Sequence, residues 1–341
     1  MSAIAPASNA SNTSNLQSAT ALPSSIASLP IALFGSVMGL AGLSLAWRAA
    51  HGLFGVPTWI GDSIGWLAML AFVAMAGAYG IKAWTAFDGV RAEFNHPIAG
   101  NMFGTPLISL LLLPIPLAGI SLSLARATWA AGAIGMTVFA WFAVSRWMQG
   151  RQNPAHATPA WIVPVVGMID VPLALPSLQW PDLSGVMMFA LAVGLFFAIP
   201  IFTMIFSRLI FQEPMPAALQ PSLLIMVAPF AVGFSSYAIT TGRIDDFAQA
   251  MYMLMLFMLA VLIGRLRNLP TACPFRLSWW AVSFPLSASA GAALRYAGHA
   301  RNGYADGIAM LLLAIASIVI LGLLVRTLLG MMRGELRTLA G

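Results

Sequence analysis

From Pro30 onward the chain divides into ten apolar segments, each near the ~20 residues that a helix needs to cross a bilayer. Their spans are Pro30–Ala50, Trp59–Trp84, Met102–Ile120, Thr128–Met148, Pro159–Pro176, Ser184–Phe211, Gln220–Thr241, Phe247–Gly264, Leu277–Ala297 and Gly307–Leu329. No soluble core uses so many. Charged residues are 8% of the chain, against about 25% in a soluble domain. The expectation is an all-α integral membrane protein with ten transmembrane helices. Loops this short leave no room for a second folded domain.

The rest divides simply. Residues 1–29 carry no Lys, Arg, Asp or Glu and lack the basic start and apolar core of a signal peptide. They are expected to be a disordered polar tail. Residues 30–330 form the transmembrane domain, and 331–341 a short C-terminal tail.

Ten crossings put both termini on one side. With both in the cytoplasm, eleven of the sixteen basic residues lie inside, from Lys82 and Arg91 to Arg333 and Arg337. The positive-inside rule selects that orientation. The basic residues are scattered over loops, which argues against nucleic acid as a partner. The single cysteine, Cys273, excludes an intrachain disulfide. The four histidines lack metal-ligand spacing, so no metal and no cofactor is expected.

Proline sets a second pattern. The odd-numbered segments hold Pro30, Pro106, Pro114, Pro116, Pro159, Pro164, Pro172, Pro176, Pro221, Pro229 and Pro285, whereas Pro200 stands alone among the even-numbered ones. Each proline inside a helix removes a backbone donor and bends it. In a membrane the freed groups need neighbours or a watery cavity. The odd helices are therefore expected to form a bent inner layer and the even ones a smooth, lipid-facing outer layer. Five hairpins of this kind give a pseudo-fivefold ring around a central pore.

The ninth segment, SWWAVSFPLSASAGAALRY from Ser278 to Tyr296, is trimmed of bulk except for Phe284, which precedes Pro285. One ring at a bend among small residues is either a packed core aromatic or a plug. Asp170 is the one acid near the middle of an apolar segment. Intramembrane carboxylates are costly and usually functional. It is read either as a proton-linked carboxylate or as a solvated residue in an outer vestibule, where Pro172 and Pro176 end the helix early. Arg295 either draws anions to the outer mouth or snorkels to the interface. Gly35 and Gly39 either keep the pore wide or pack helices closely. Pro106, Pro114, Pro164, Pro229 and Pro285 are candidate pore-lining or hinge positions.

Four stretches carry a resemblance. WWAVSFP followed by ALRY resembles the ninth helix of the plant guard-cell slow anion channels. It also resembles their bacterial TehA-type relatives in the tellurite-resistance/dicarboxylate transporter family. FGSVMGLAGLSLAW (Phe34–Trp47), VRAEFNHP (Val90–Pro97) and VAPFAVGFSSYA (Val227–Ala238) are similar to other parts of that family. The resemblance implies a ten-helix homotrimer, each subunit with its own pore, with Phe284 occluding it and Gly35 facing it. It also implies an anion channel for small inorganic anions such as chloride and nitrate, set in membrane lipid, in a bacterial inner membrane. The alternative is a proton- or gradient-coupled exporter of tellurite, sulfite or four-carbon dicarboxylates. No Walker motif suggests an ATP-driven pump, and no paired polar groups suggest an enzyme.

Overall fold

The computed structural model describes residues 28–180, 182–335, 338 and 339. All of the tail expected at 1–29 except its last two residues lies outside the described residues. The ten spans are α1 (Ile31–Phe54), α2 (Thr58–Thr85), α3 (Ala99–Leu117), α4 (Leu122–Gln149), α5 (Pro159–Leu178), α6 (Ser184–Phe211), α7 (Ala217–Thr241) and α8 (Asp246–Leu266), then α9 and α10. Helix α9 runs from Leu277–Val282 straight into Ser283–Ala300, and α10 is Gly303–Met332. Among the described residues, nine of these are long and apolar enough to cross a membrane. The one that falls short is α9, whose serines, Arg295 and His299 dilute its apolar content.

The odd helices close a ring. Helix α1 packs on α3, α3 on α5, α5 on α7, α7 on α9, and α9 back on α1. Each even helix packs on the odd helix before it, outside the ring. Burial follows: 61 to 89% of the apolar window of α1, α3, α5 and α7 is buried, against 11 to 39% for the even helices. The outer face is large and apolar, as at Trp66, Leu70, Trp141, Phe196, Ile199 and Ile318. That is a surface for lipid, not water.

The prolines act as anticipated, through a specific device. Every odd helix begins with a tight 3₁₀ stretch, and no even helix contains one. The α-helical part then starts at Gly35, Gly104, Val163, Ala228 and Ser283. A proline lies one or two residues past four of these junctions, at Pro106, Pro164, Pro229 and Pro285. A proline leaves the carbonyl four residues back without its donor. A donor one residue earlier takes it, which is the 3₁₀ pattern. The Val163 N–H donates to the Ala160 carbonyl and the Ala228 N–H to that of Ile225. At Met102 the acceptor is met by the Thr105 hydroxyl at 2.7 Å. Pro114 marks a separate break, after Leu113 in α3.

Helices α1 and α9 make the closest inner contact. A Cβ on Gly39 would collide with Ser283, and one on Gly42 with Ser287. The Ser283 hydroxyl donates across to the Gly35 carbonyl at 3.1 Å. At the entry of α1, Glu93 of the surface helix Phe87–Asn95 accepts from the Ile31 N–H (2.7 Å), the Tyr79 hydroxyl (3.0 Å) and Lys82 Nζ (2.8 Å). Lys82 also donates to the Leu29 carbonyl at 2.7 Å. This polar clasp ties α2 to the start of α1. After α10 the Glu335 N–H returns to the Gly330 carbonyl, Arg326 pairs with Glu335, and Leu339 is buried.

Candidate functional site

Two cavities lie on the axis of the inner ring, one on each side of Phe284. The first, about 50 Å³, is bordered by Gly35 and Met38 of α1, Thr105 of α3, Gly167 and Asp170 of α5, Ala228 of α7, and Trp280 and Pro285 of α9. The second, about 470 Å³, is bordered by Gly42, Leu45 and Leu53 of α1, Leu112 of α3, Leu173 of α5, Ser235 of α7, and Ser287, Gly291 and Arg295 of α9. All five inner helices contribute to both cavities, and no outer helix contributes to either. Within each inner helix the first cavity takes residues nearer the N-terminus and the second takes those nearer the C-terminus. The two are therefore stacked along one axis.

Phe284 and Val232 are the residues that border both. Phe284 is 8% exposed. Its ring lies against α1, where a Cβ on Gly42 would stand 3.4 Å from Phe284 Cδ2 and would collide with Ser287 one turn on. Behind the ring, the Ser287 and Ser289 hydroxyls donate to the Phe284 and Pro285 carbonyls at 3.0 and 2.7 Å. The backbone that carries the ring is thus held by hydrogen bonds, and the ring and Val232 together separate the cavities.

The candidate glycines part company. Gly35 borders the small cavity, and a Cβ there would meet nothing nearer than the Trp280 carbonyl oxygen at 3.7 Å. Gly39, read either as a pore-wall residue or as a close-packing one, is sealed between α1 and α9, because Ser283 occupies the place its side chain would take. The glycine beside the Phe284 ring is Gly42. The sequence holds a signal for it: Gly35 and Gly42 stand seven residues apart, on one helical face. Of the candidate prolines only Pro285 borders a cavity. Pro106, Pro114, Pro164 and Pro229 shape the inner helices from behind the wall.

Asp170 corrects one expectation. It is not in a solvated vestibule. It is 2% exposed, borders the small cavity, and its Oδ1 is buried with no hydrogen-bond partner. The 3₁₀ path of Gly167–Ala174 carries it into the core instead of ending the helix at Pro172. Arg295 is exposed at the wall of the large cavity and makes no ion pair among the described residues. Each cavity therefore has one ionisable lining residue: an acid on the N-terminal side of the Phe284 ring and a base on the C-terminal side. Among the described residues no three His, Cys, Asp or Glu side chains meet to hold a metal. Val232, Thr105 and the Glu93–Lys82 clasp had no separate signal in the sequence.

A ring of bent helices around an interrupted axis, jacketed by apolar helices, defines an all-α integral membrane protein with a central passage. The family model SLAC1, described as voltage-dependent anion channel, matches residues 28–328, and the chain belongs to that family. S-type anion channel SLAH3 of Arabidopsis thaliana is 29% identical over 308 residues, which cover 88% of this chain and 48% of that protein. Guard cell S-type anion channel SLAC1 of the same plant is 25% identical over 313 residues, covering 88% and 55%. Tellurite resistance protein TehA homolog of Haemophilus influenzae is 28% identical over 282 residues, covering 79% and 81%. The chain spans about half the length of the plant channels it matches and most of the TehA homologue.

Proposed function

We propose that this protein is an anion channel that passes small monovalent anions such as chloride and nitrate along the inner-ring axis, and that Phe284 closes it at rest. One observation carries this reading: the Phe284 ring stands between two cavities that all five inner helices line. An apolar ring in a narrow pore strips an ion of water and offers nothing in return, which is a barrier to conduction. Opening needs the ring to rotate, toward the larger cavity where there is room. Arg295 at that cavity raises the local concentration of anions. The protein sits in a bacterial inner membrane with both termini cytoplasmic, so that the Arg295 cavity faces outward, and it works as a homotrimer with one pore per subunit.

The test is current through the wild type and Phe284→Ala in planar bilayers with chloride and nitrate. The variant is expected to conduct at least about tenfold more, equivalent to a barrier lower by ~1.4 kcal/mol. No current in either protein would sink the channel reading. A second reading is a proton- or gradient-coupled exporter of tellurite, sulfite or four-carbon dicarboxylates. The buried Asp170 beside the plug favours it. A carrier would saturate with substrate and move protons in fixed ratio, whereas a channel's flux stays proportional to the driving force.

A further inference from the structure

The small cavity contains a fact that the plug does not explain. An anion pore has a bare carboxylate on its wall. Asp170 borders the same cavity as Phe284, and its buried Oδ1 has no partner. The other side chains around that cavity are apolar except at Thr105, whose hydroxyl is donated to the Met102 and Ile31 carbonyls, and at Trp280, whose indole N–H is donated to Thr327. None of the facing groups from α1, α3, α7 or α9 at this cavity ionises. The charged residues of α4 and α6, which also pack on α5, bond carbonyls away from this cavity, although Arg208 Nη1 is itself buried without a partner. Arg126 bonds the Leu178 and Gln179 carbonyls, Arg146 those of Phe94 and Asn95, and Arg208 that of Ala155. An ionised Asp170 would therefore meet a permeating anion with no cation beside it to blunt the repulsion.

We propose that Asp170 is a titratable barrier in series with Phe284: anions pass when Asp170 carries a proton and are turned back when it is ionised. This rests on the channel reading above and adds a pH gate to the same passage. Two like charges held about 5 Å apart at an effective dielectric near 20 change a rate by on the order of a hundredfold. The two barriers differ in kind. The ring blocks any hydrated ion, and the carboxylate blocks only anions and only when charged.

The experiment removes the ring first, so that the second barrier can be read. Chloride current is recorded through Phe284→Ala and through Phe284→Ala combined with Asp170→Asn, across the pH range the bilayer tolerates. The single variant is expected to lose current, up to about a hundredfold, as pH rises through the titration of Asp170. The double variant should stay flat at the high level. Asp170→Glu in the same background should restore a pH-dependent current, which a merely structural role would not do. In infrared difference spectra, a protonated-carboxyl band that titrates with the current should vanish in Asp170→Asn. Identical pH profiles for the single and double variants would overturn the proposal while leaving the pore intact. No current from either variant at any pH would remove the pore reading, and this proposal with it.

Discussion

The inner and outer helices are both long and apolar, and they have opposite duties. Helix α10 and helix α7 are both long and apolar, yet α10 is α-helical throughout and α7 spends Ala217–Val227 in 3₁₀ form. The difference lies in where a backbone group can find a partner. An outer helix faces lipid, which offers none, so it must keep every intrahelical bond. Pro200 in α6 is the exception that faces outward. An inner helix has neighbours on all sides and an axis cavity, and can spend backbone bonds on shape. The ring is therefore made of irregular helices held by regular ones. The joins between the two layers carry the polar chemistry, and they are where the comparison can be broken.

The heaviest join is the clasp between α2 and the start of α1. Lys82 and Glu93 have side chains only 6% and 14% exposed. Glu93→Ala would leave the Lys82 ammonium buried without its carboxylate and the Ile31 N–H without an acceptor. Breaking a buried pair in this way costs about 3–5 kcal/mol. The Arg48–Asp62 pair also links α1 and α2, but its side chains are 34% and 46% exposed. Arg48→Ala should cost only about 0–1 kcal/mol. Thermal unfolding in detergent, followed by tryptophan fluorescence, measures both. Equal losses would mean that the clasp adds nothing to the inner–outer join.

The layers should also answer differently to one methyl group. Gly39→Ala drives a Cβ into Ser283 of α9, where the clash includes that residue's Cβ and cannot be relieved by rotating the hydroxyl. Overpacking of this kind costs roughly 1–3 kcal/mol. Gly322→Ala on α10 meets nothing within 4 Å and should be neutral or slightly stabilising, since alanine favours helix by ~1 kcal/mol over glycine. The same unfolding assay decides it.

These pairs also mark how far the sequence could be read. The ten spans, the inner–outer alternation and the place of Phe284 on the axis were legible, because length, proline content and one ring among small residues are local signals. Asp170 was legible as a misplaced acid, but its surroundings were not. Whether Pro172 ends a helix or tightens it depends on the helices packed around it. Gly39 and Gly42 share a helical face, and only the register against α9 decides which one meets Ser283 and which one meets the ring. Val232 is one apolar residue among many, and nothing local distinguishes it. Lys82 and Glu93 lie on opposite sides of a turn, and their partner in α1 is 62 residues from Glu93.

A lighter join tests the same idea between α9 and α10. Trp280, at the wall of the small cavity, donates its indole N–H to the Thr327 hydroxyl at 2.9 Å. Trp280→Phe keeps an aromatic ring and removes the donor. The loss should be about 1 kcal/mol from the hydrogen bond, with a further cost from the smaller ring. Thr327→Val removes the same bond from the outer side. If the bond joins the layers, the double variant should cost less than the sum of the two single variants. Strict additivity would show that the two side chains act independently.

The smallest effect is expected at the turn between α7 and α8, outside the membrane-spanning segments. The Tyr237 hydroxyl of α7 donates to Asp245 Oδ2 at 2.6 Å, and the Ala248 N–H at the start of α8 donates to Oδ1 at 3.1 Å. The Tyr237 hydrogen bond first, and then the Ala248 N–H, hold the Asp245 carboxyl below its usual range. A carboxyl depressed in the folded state stabilises the fold above its unfolded pKa, and the contribution disappears as pH falls through the folded value. The window is therefore acidic, below the ordinary carboxylate pKa of 3.8. Asp245→Asn keeps a good helix cap and removes the charge. The wild type should melt slightly above the variant near neutral pH, and the gap should close as the pH drops below about 4. A gap that persists into acid would assign the stabilisation to the cap geometry alone. The inner–outer join at this hairpin would then be one of shape rather than charge.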